Sequence, residues 1–177
     1  MWTLRDLLEY NAEFRADRVA LVMDGRELTY AELLGLSGKF ANALLEAGLR
    51  PGDRVAVVLP NCIEYVALLY GATSSCMILV PVNPLLKPRE MAYILSHSGA
   101  RAAVTIPQLE GAVSEAAREA PSVEGVLVLG ESEVGNWNLP PRSSERRLRF
   151  PQGGRGRRTS PSSSTPRAPP ASLRGPC

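Results

Sequence analysis

The 177-residue chain holds one histidine, three cysteines and an aromatic share of only 6%. Cys62, Cys76 and Cys177 stand at no paired spacing and form no CxxC, so neither a disulfide framework nor a cysteine metal site is indicated. Cys62 and Cys76 are expected to behave as small buried hydrophobes. The single histidine, His97, has no cysteine or paired carboxylate at ligand spacing and reads as helix-terminal packing or solvent exposure rather than a general base. Glu13, Asp17 and Asp24 form no pair suited to acid–base chemistry and read as a solvated face. No apolar run approaches the roughly 20 residues of a membrane-spanning helix. The start places Arg5, Asp6 and Glu9 on an amphipathic helix instead of a charged stretch leading into an apolar one. A signal peptide is therefore not expected, and a soluble, cytoplasmic setting is. No internal repeat or low-complexity segment precedes Asn136. The residues present offer no catalytic, cofactor-binding or metal-binding candidate.

Charge is divided unevenly along a chain whose net charge is +2. Residues 1–135 carry 11 basic against 17 acidic side chains, and residues 136–177 carry nine arginines against one glutamate. A basic arm of this kind has a nucleic-acid-binding reading, in which salt would weaken retention on DNA. The tail also holds eight prolines and almost no core-forming residue after Phe150. It cannot bury enough apolar surface to fold alone. The expected organisation is one α/β unit over residues 1–135 and a disordered Pro/Arg/Ser-rich tail over residues 136–177, with nucleic-acid binding not expected.

Within the first unit, apolar periodicity alternates between helix and strand. Thr3 is positioned to cap a helix carrying Leu4, Leu7, Leu8 and Phe14 on one face. Asp24-Gly25 between residues 19–23 and 26–29 is a two-residue hairpin signal. Thr29 with Glu32 forms the T-x-x-E box for a helix bearing Leu33, Leu34, Leu36, Phe40 and Leu44, which ends at Gly48. The apolar runs at 55–59, 77–82, 102–105 and 126–129 read as buried strands. Helices fall between them at 63–71, 89–96 and 113–119, with Pro88 at a first helical turn. Alternation of this kind predicts βαβ crossovers and a parallel sheet covered by helices. If the sheet is incomplete, its open edge provides a surface for self-association.

The tail carries a second message. Residues 159–177 read TSPSSSTPRAPPASLRGPC. Regrouping each codon's third base with the next two bases permits Val-Ala-Val-Ile-Leu-Tyr-Thr-Ser-Gly-Thr-Thr-Gly-Leu-Pro-Lys-Gly-Ala-Met. The first two bases of Pro, Ala, Thr and Gly codons are fixed, so agreement over so many positions is a strong constraint. The recovered segment is an apolar strand followed by a Ser/Thr/Gly-rich loop with a lysine, suited to neutralising nucleotide phosphates. A change of reading frame between Glu131 and Phe150 is expected, since alternation stops and prolines begin there.

The ordered pieces Leu28-Thr29-Tyr30-Ala31-Glu32-Leu33, Gly48-Leu49-Arg50-Pro51-Gly52-Asp53-Arg54-Val55-Ala56, Leu59-Pro60-Asn61 with Glu64, Val80-Pro81-Val82-Asn83-Pro84 and Ser98-Gly99-Ala100-Arg101 are weak singly and specific together. In this order the chain resembles the N-terminal part of the AMP-forming acyl-CoA synthetases, in the adenylate-forming superfamily. The resemblance implies activation of a carboxylic acid by ATP to an acyl-adenylate with release of pyrophosphate. Transfer of the acyl group to coenzyme A follows, with Mg²⁺ and a loop lysine offsetting phosphate charge. It also implies that the family's phosphate loop and catalytic lysine have no matching position here. A truncated chain inactive by itself, binding none of these cofactors, is the expectation. A non-catalytic α/β interaction module is the rival reading. One departure lies at Thr73-Ser74-Ser75-Cys76, where the family places a small residue and then glycine; Cys76 lacks glycine's backbone freedom. The tract around Asn83 reads either as a pocket wall or as a turn closing a strand.

Overall fold

The computed structural model describes residues 2–130. The tail and the proposed frame change lie outside the described residues. The first helix, α1 (Leu4–Phe14), starts at Thr3, whose hydroxyl accepts from the Asp6 N–H while the Asp6 carboxylate accepts from the Thr3 N–H. A hairpin of β1 (Val19–Met23) and β2 (Arg26–Thr29) follows. Asp24 and Gly25 both take positive φ, 50° and 74°. That conformation matches the right-handed twist of the flanking strands. Thr29 and Glu32 then form the reciprocal cap of α2 (Tyr30–Glu46).

The chain continues as β3 (Arg54–Val57), α3 (Ile63–Ser74), β4 (Ile78–Pro81), α4 (Pro88–Ser98), β5 (Ala102–Thr105), a short 3-10 turn (Pro107–Leu109), α5 (Glu110–Glu119) and β6 (Gly125–Val128). The last four strands form one parallel sheet in the order β4-β3-β5-β6. Period-two alternation sends Val55, Val57, Ala102, Val104 and Leu127 to one face, where Phe40, Leu44 and Leu68 of α2 and α3 cover them. Ala56, Val58, Ala103, Val126 and Val128 point to the other, under Met91, Leu95 and Val113 of α4 and α5. Such two-sided burial explains why these strands read as unbroken apolar runs.

Two local expectations need correction. Helix α3 does not stop at Gly71 but runs to Ser74. A Cβ on Gly71 would lie 2.6 Å from the Ser37 carbonyl oxygen and 2.9 Å from the Phe40 Cβ. Glycine here permits the close crossing of α2 and α3 rather than ending a helix. Cys62 is half-buried with a free thiol, because it sits at the surface entry to α3. Cys76 is half-buried. Neither is a simple core residue. The apolar stripe of α1 buries only Leu8 and leaves Leu4, Leu7 and Phe14 exposed.

Candidate functional site

Strand order defines where a ligand would approach. The connection through α3 carries the chain from β3 to β4 on one side, and α4 carries it back past β3 to β5 on the other. The winding direction reverses between β3 and β5. In open α/β sheets the crevice beyond the carboxyl ends of the strands at such a reversal is the usual ligand position. Here it is bordered by Leu59-Pro60-Asn61-Cys62 leaving β3, Ile106-Pro107 leaving β5 and Val82-Asn83-Pro84 leaving β4.

Several polar groups at this border have a definite engagement, while Asn61 is exposed. The Thr105 hydroxyl, fully buried, donates to the Val58 carbonyl at 3.1 Å. The Val58 N–H donates to the Val104 carbonyl at 2.8 Å, so the two strand exits are held together. Asn83 accepts from the Leu85 N–H at 2.9 Å, which makes it the turn that closes β4. Cys62 is the N-cap of α3 and makes no side-chain capping bond. Burial, and after it the neighbouring Glu64 carboxylate, push its thiol up from the ordinary value. The neutral thiol is a poor nucleophile at neutral pH. Glu64, in the first turn of α3, accepts from Arg26 of the hairpin at 3.3 Å.

The opposite edge of the sheet is tied by charge. Arg101 donates through Nη1 to Asp53 at 2.7 Å and through Nε to Glu124 at 2.9 Å. Asp53 also accepts from the Arg50 N–H at 2.7 Å. Partial burial pushes the Asp53 carboxyl upward, but these two donors outweigh it and hold the group below its ordinary value. This network joins the entries of β3, β5 and β6, on the side away from the crevice. The motif residues Gly48 to Ala56 and Ser98 to Arg101 therefore belong to the fold. Leu59-Pro60-Asn61 and Val80 to Pro84 border the crevice.

Sequence reasoning assigned no site residue. His97 lies exposed in the last turn of α4, stacked on Tyr93 at 5.6 Å between ring centres. Glu13, Asp17 and Asp24 are exposed. The switch point and the Thr105 tie were not anticipated, since strand order depends on which way each crossover turns. The donor set of the crevice does not fit a magnesium-bound nucleoside triphosphate. The Glu64 carboxylate is paired with Arg26, the Asn83 side-chain oxygen and the buried Thr105 hydroxyl are engaged, and no group of three metal-ligating side chains occurs among the described residues. No step through such a group follows from these residues.

A parallel sheet wound in both directions, with its motif residues divided between a charged tie and a switch-point crevice, defines a doubly wound α/β layer. The profile of the AMP-binding enzyme family matches residues 8–171, and the chain belongs to that family. It is 40% identical over 131 residues to triostin synthetase I of Streptomyces triostinicus, covering 73% of this chain and 25% of that protein. It is 40% identical over 105 residues to a long-chain-fatty-acid–CoA ligase of Salmonella typhimurium, covering 59% and 19%. Among solved structures, an anthranilate CoA ligase in complex with anthranoyl-AMP aligns with a TM-score of 0.68 at 29% identity, over 72% of this chain and 25% of that one. The N-terminal domain of FACL13 from Mycobacterium tuberculosis aligns with a TM-score of 0.68 at 28% identity, over 73% and 34%. The chain thus spans a quarter or less of the curated relatives named here. Its superfamily is that of the AMP-forming acid ligases, and no helix among the described residues is long and apolar enough to cross a membrane.

Proposed function

We propose that this chain is a truncated N-terminal part of an AMP-forming acyl-CoA synthetase, and that it has no adenylating activity alone. In the complete enzyme, ATP would convert a carboxylic acid to an acyl-adenylate, with Mg²⁺ balancing phosphate charge, and coenzyme A would take the acyl group. Residues 1–135 supply the sheet and the crevice border. Residues 136–177 are the product of a shifted frame and supply no phosphate loop. The regrouped codons of residues 159–177 carry this reading, because they restore a Gly-rich loop with a lysine after an apolar strand. A cytoplasmic location belongs to the same proposal.

The test is ATP–pyrophosphate exchange, with a panel of aliphatic and aromatic acids, on two products. One is the 177-residue chain; the other comes from the same gene with the frame restored between the codons for Glu131 and Phe150. The chain as it stands is expected to give no exchange, and the restored product acid-dependent exchange. Exchange by the 177-residue chain itself would overturn the inactivity.

A further inference from the structure

One face of α1 combines aromatic rings with carboxylates. Trp2, Asp6, Glu9, Tyr10 and Glu13 line a shallow cleft of about 390 Å³, at the i, i+3/i+4 spacing that places residues on one helix face. The Trp2 ring meets Tyr10 edge-on at 5.4 Å, and Tyr10 lies 4.7 Å from Phe14. These rings face solvent, Trp2 being 61% and Phe14 64% exposed. Asp6 is engaged by Thr3 and Glu9 by Arg5, whereas Glu13 is exposed and in no ion pair among the described residues.

The side chain that suits such a surface is a guanidinium. It stacks on aromatic faces and donates to carboxylates in the same plane. The chain supplies nine arginines against one glutamate after residue 135, while residues 1–135 hold 17 acidic against 11 basic groups. Seven of those arginines fall within residues 142–158. Arg142 lies twelve residues past Gly130. Twelve residues span up to about 40 Å, while a domain of this length has a radius of gyration of about 14 Å, so the tether reaches any face. Tethering also gives an effective concentration in the millimolar range.

The geometry points to an intramolecular contact in which the arginine-rich segment 142–158 seats guanidinium groups on the aromatic and carboxylate face of α1. The contact rests on charge and reach, and holds whether or not the tail is in the family's frame.

The experiment uses the full chain with Trp137→Phe, which leaves Trp2 as the only tryptophan, and follows acrylamide quenching of its fluorescence. The quenching constant is expected to be about twofold lower at ~0.02 M than at ~0.5 M salt, as the Debye length shrinks from about 20 Å to about 4 Å. Changing the seven arginines to serine in the full chain should abolish this protection. Glu13→Gln should weaken it with helix content by circular dichroism unchanged, a second variant that leaves the tail intact. Equal quenching in parent and arginine-free chains at low salt would overturn the contact. Protection that grows with protein concentration would overturn its intramolecular character.

Discussion

Gly71 and Cys76 show how a single backbone position decides local geometry. The carbonyl of Ser37 occupies the space a Gly71 side chain would need. Alanine improves helix propensity by about 1 kcal/mol, yet forcing two helix backbones apart costs about 1–3 kcal/mol. Gly71→Ala is therefore expected to lower the urea midpoint despite its better propensity; an unchanged or raised midpoint would show that α2 and α3 yield without cost. Cys76 has the opposite problem. Its φ of 55° lies in the left-handed region, where a residue with a Cβ is disfavoured by about 1 kcal/mol relative to glycine. With thiols reduced, so that only the backbone is read, Cys76→Gly is expected to stabilise by about that amount in urea unfolding. The sequence made this position suspect because glycine was the residue expected there. It gave no such warning for Gly71, because a glycine near a helix end reads equally well as a stop or as a close approach, and only the path of α2 distinguishes them.

Among the elements, the hairpin and its following helix were legible because their signals are local. Asp24-Gly25 sets the turn and Thr29 with Glu32 sets the cap. The strands were legible as apolar runs, but their order was not, since it is fixed by which face each crossover helix covers. The tie that holds the strand entries together was equally hidden, because Asp53, Arg101 and Glu124 are far apart in sequence. This tie gives the element scale a pH dependence. Asp53 is held below its ordinary value by the Arg50 N–H and Arg101, against burial that raises it. A carboxyl depressed in the folded state contributes stability that is complete above its unfolded value of about 3.9 and is lost as pH falls through the folded value. Urea midpoints are expected to fall below about pH 4 in the parent, and to fall less steeply over that range in Asp53→Asn. At neutral pH that variant should cost about 1 kcal/mol, the magnitude for a partly exposed pair. Parallel pH profiles for the two proteins would remove Asp53 from the account.

At the scale of the whole molecule, the sheet ends at β4 on one side and β6 on the other among the described residues. Pro81 withholds a backbone N–H at the β4 edge, while β6, Gly-Val-Leu-Val, carries neither proline nor charge. Every residue of β6 is nonetheless buried, so it is not an exposed edge of the kind that favours pairing between chains. The site was less legible than the fold, because the switch-point crevice arises only once four strands are ordered, and because the proposed function puts the phosphate-binding loop in another frame of the codons. That other frame is the central claim, and the most direct measurement is the sequence of the coding DNA from the codon for Ser122 onward. The account predicts third bases that spell Tyr-Thr-Ser-Gly-Thr-Thr-Gly-Leu-Pro-Lys-Gly in the shifted frame, and an acid-ligase reading frame continuing beyond the codon for Cys177. Third bases that spell another sequence, or a shifted frame closed by stop codons, would contradict it.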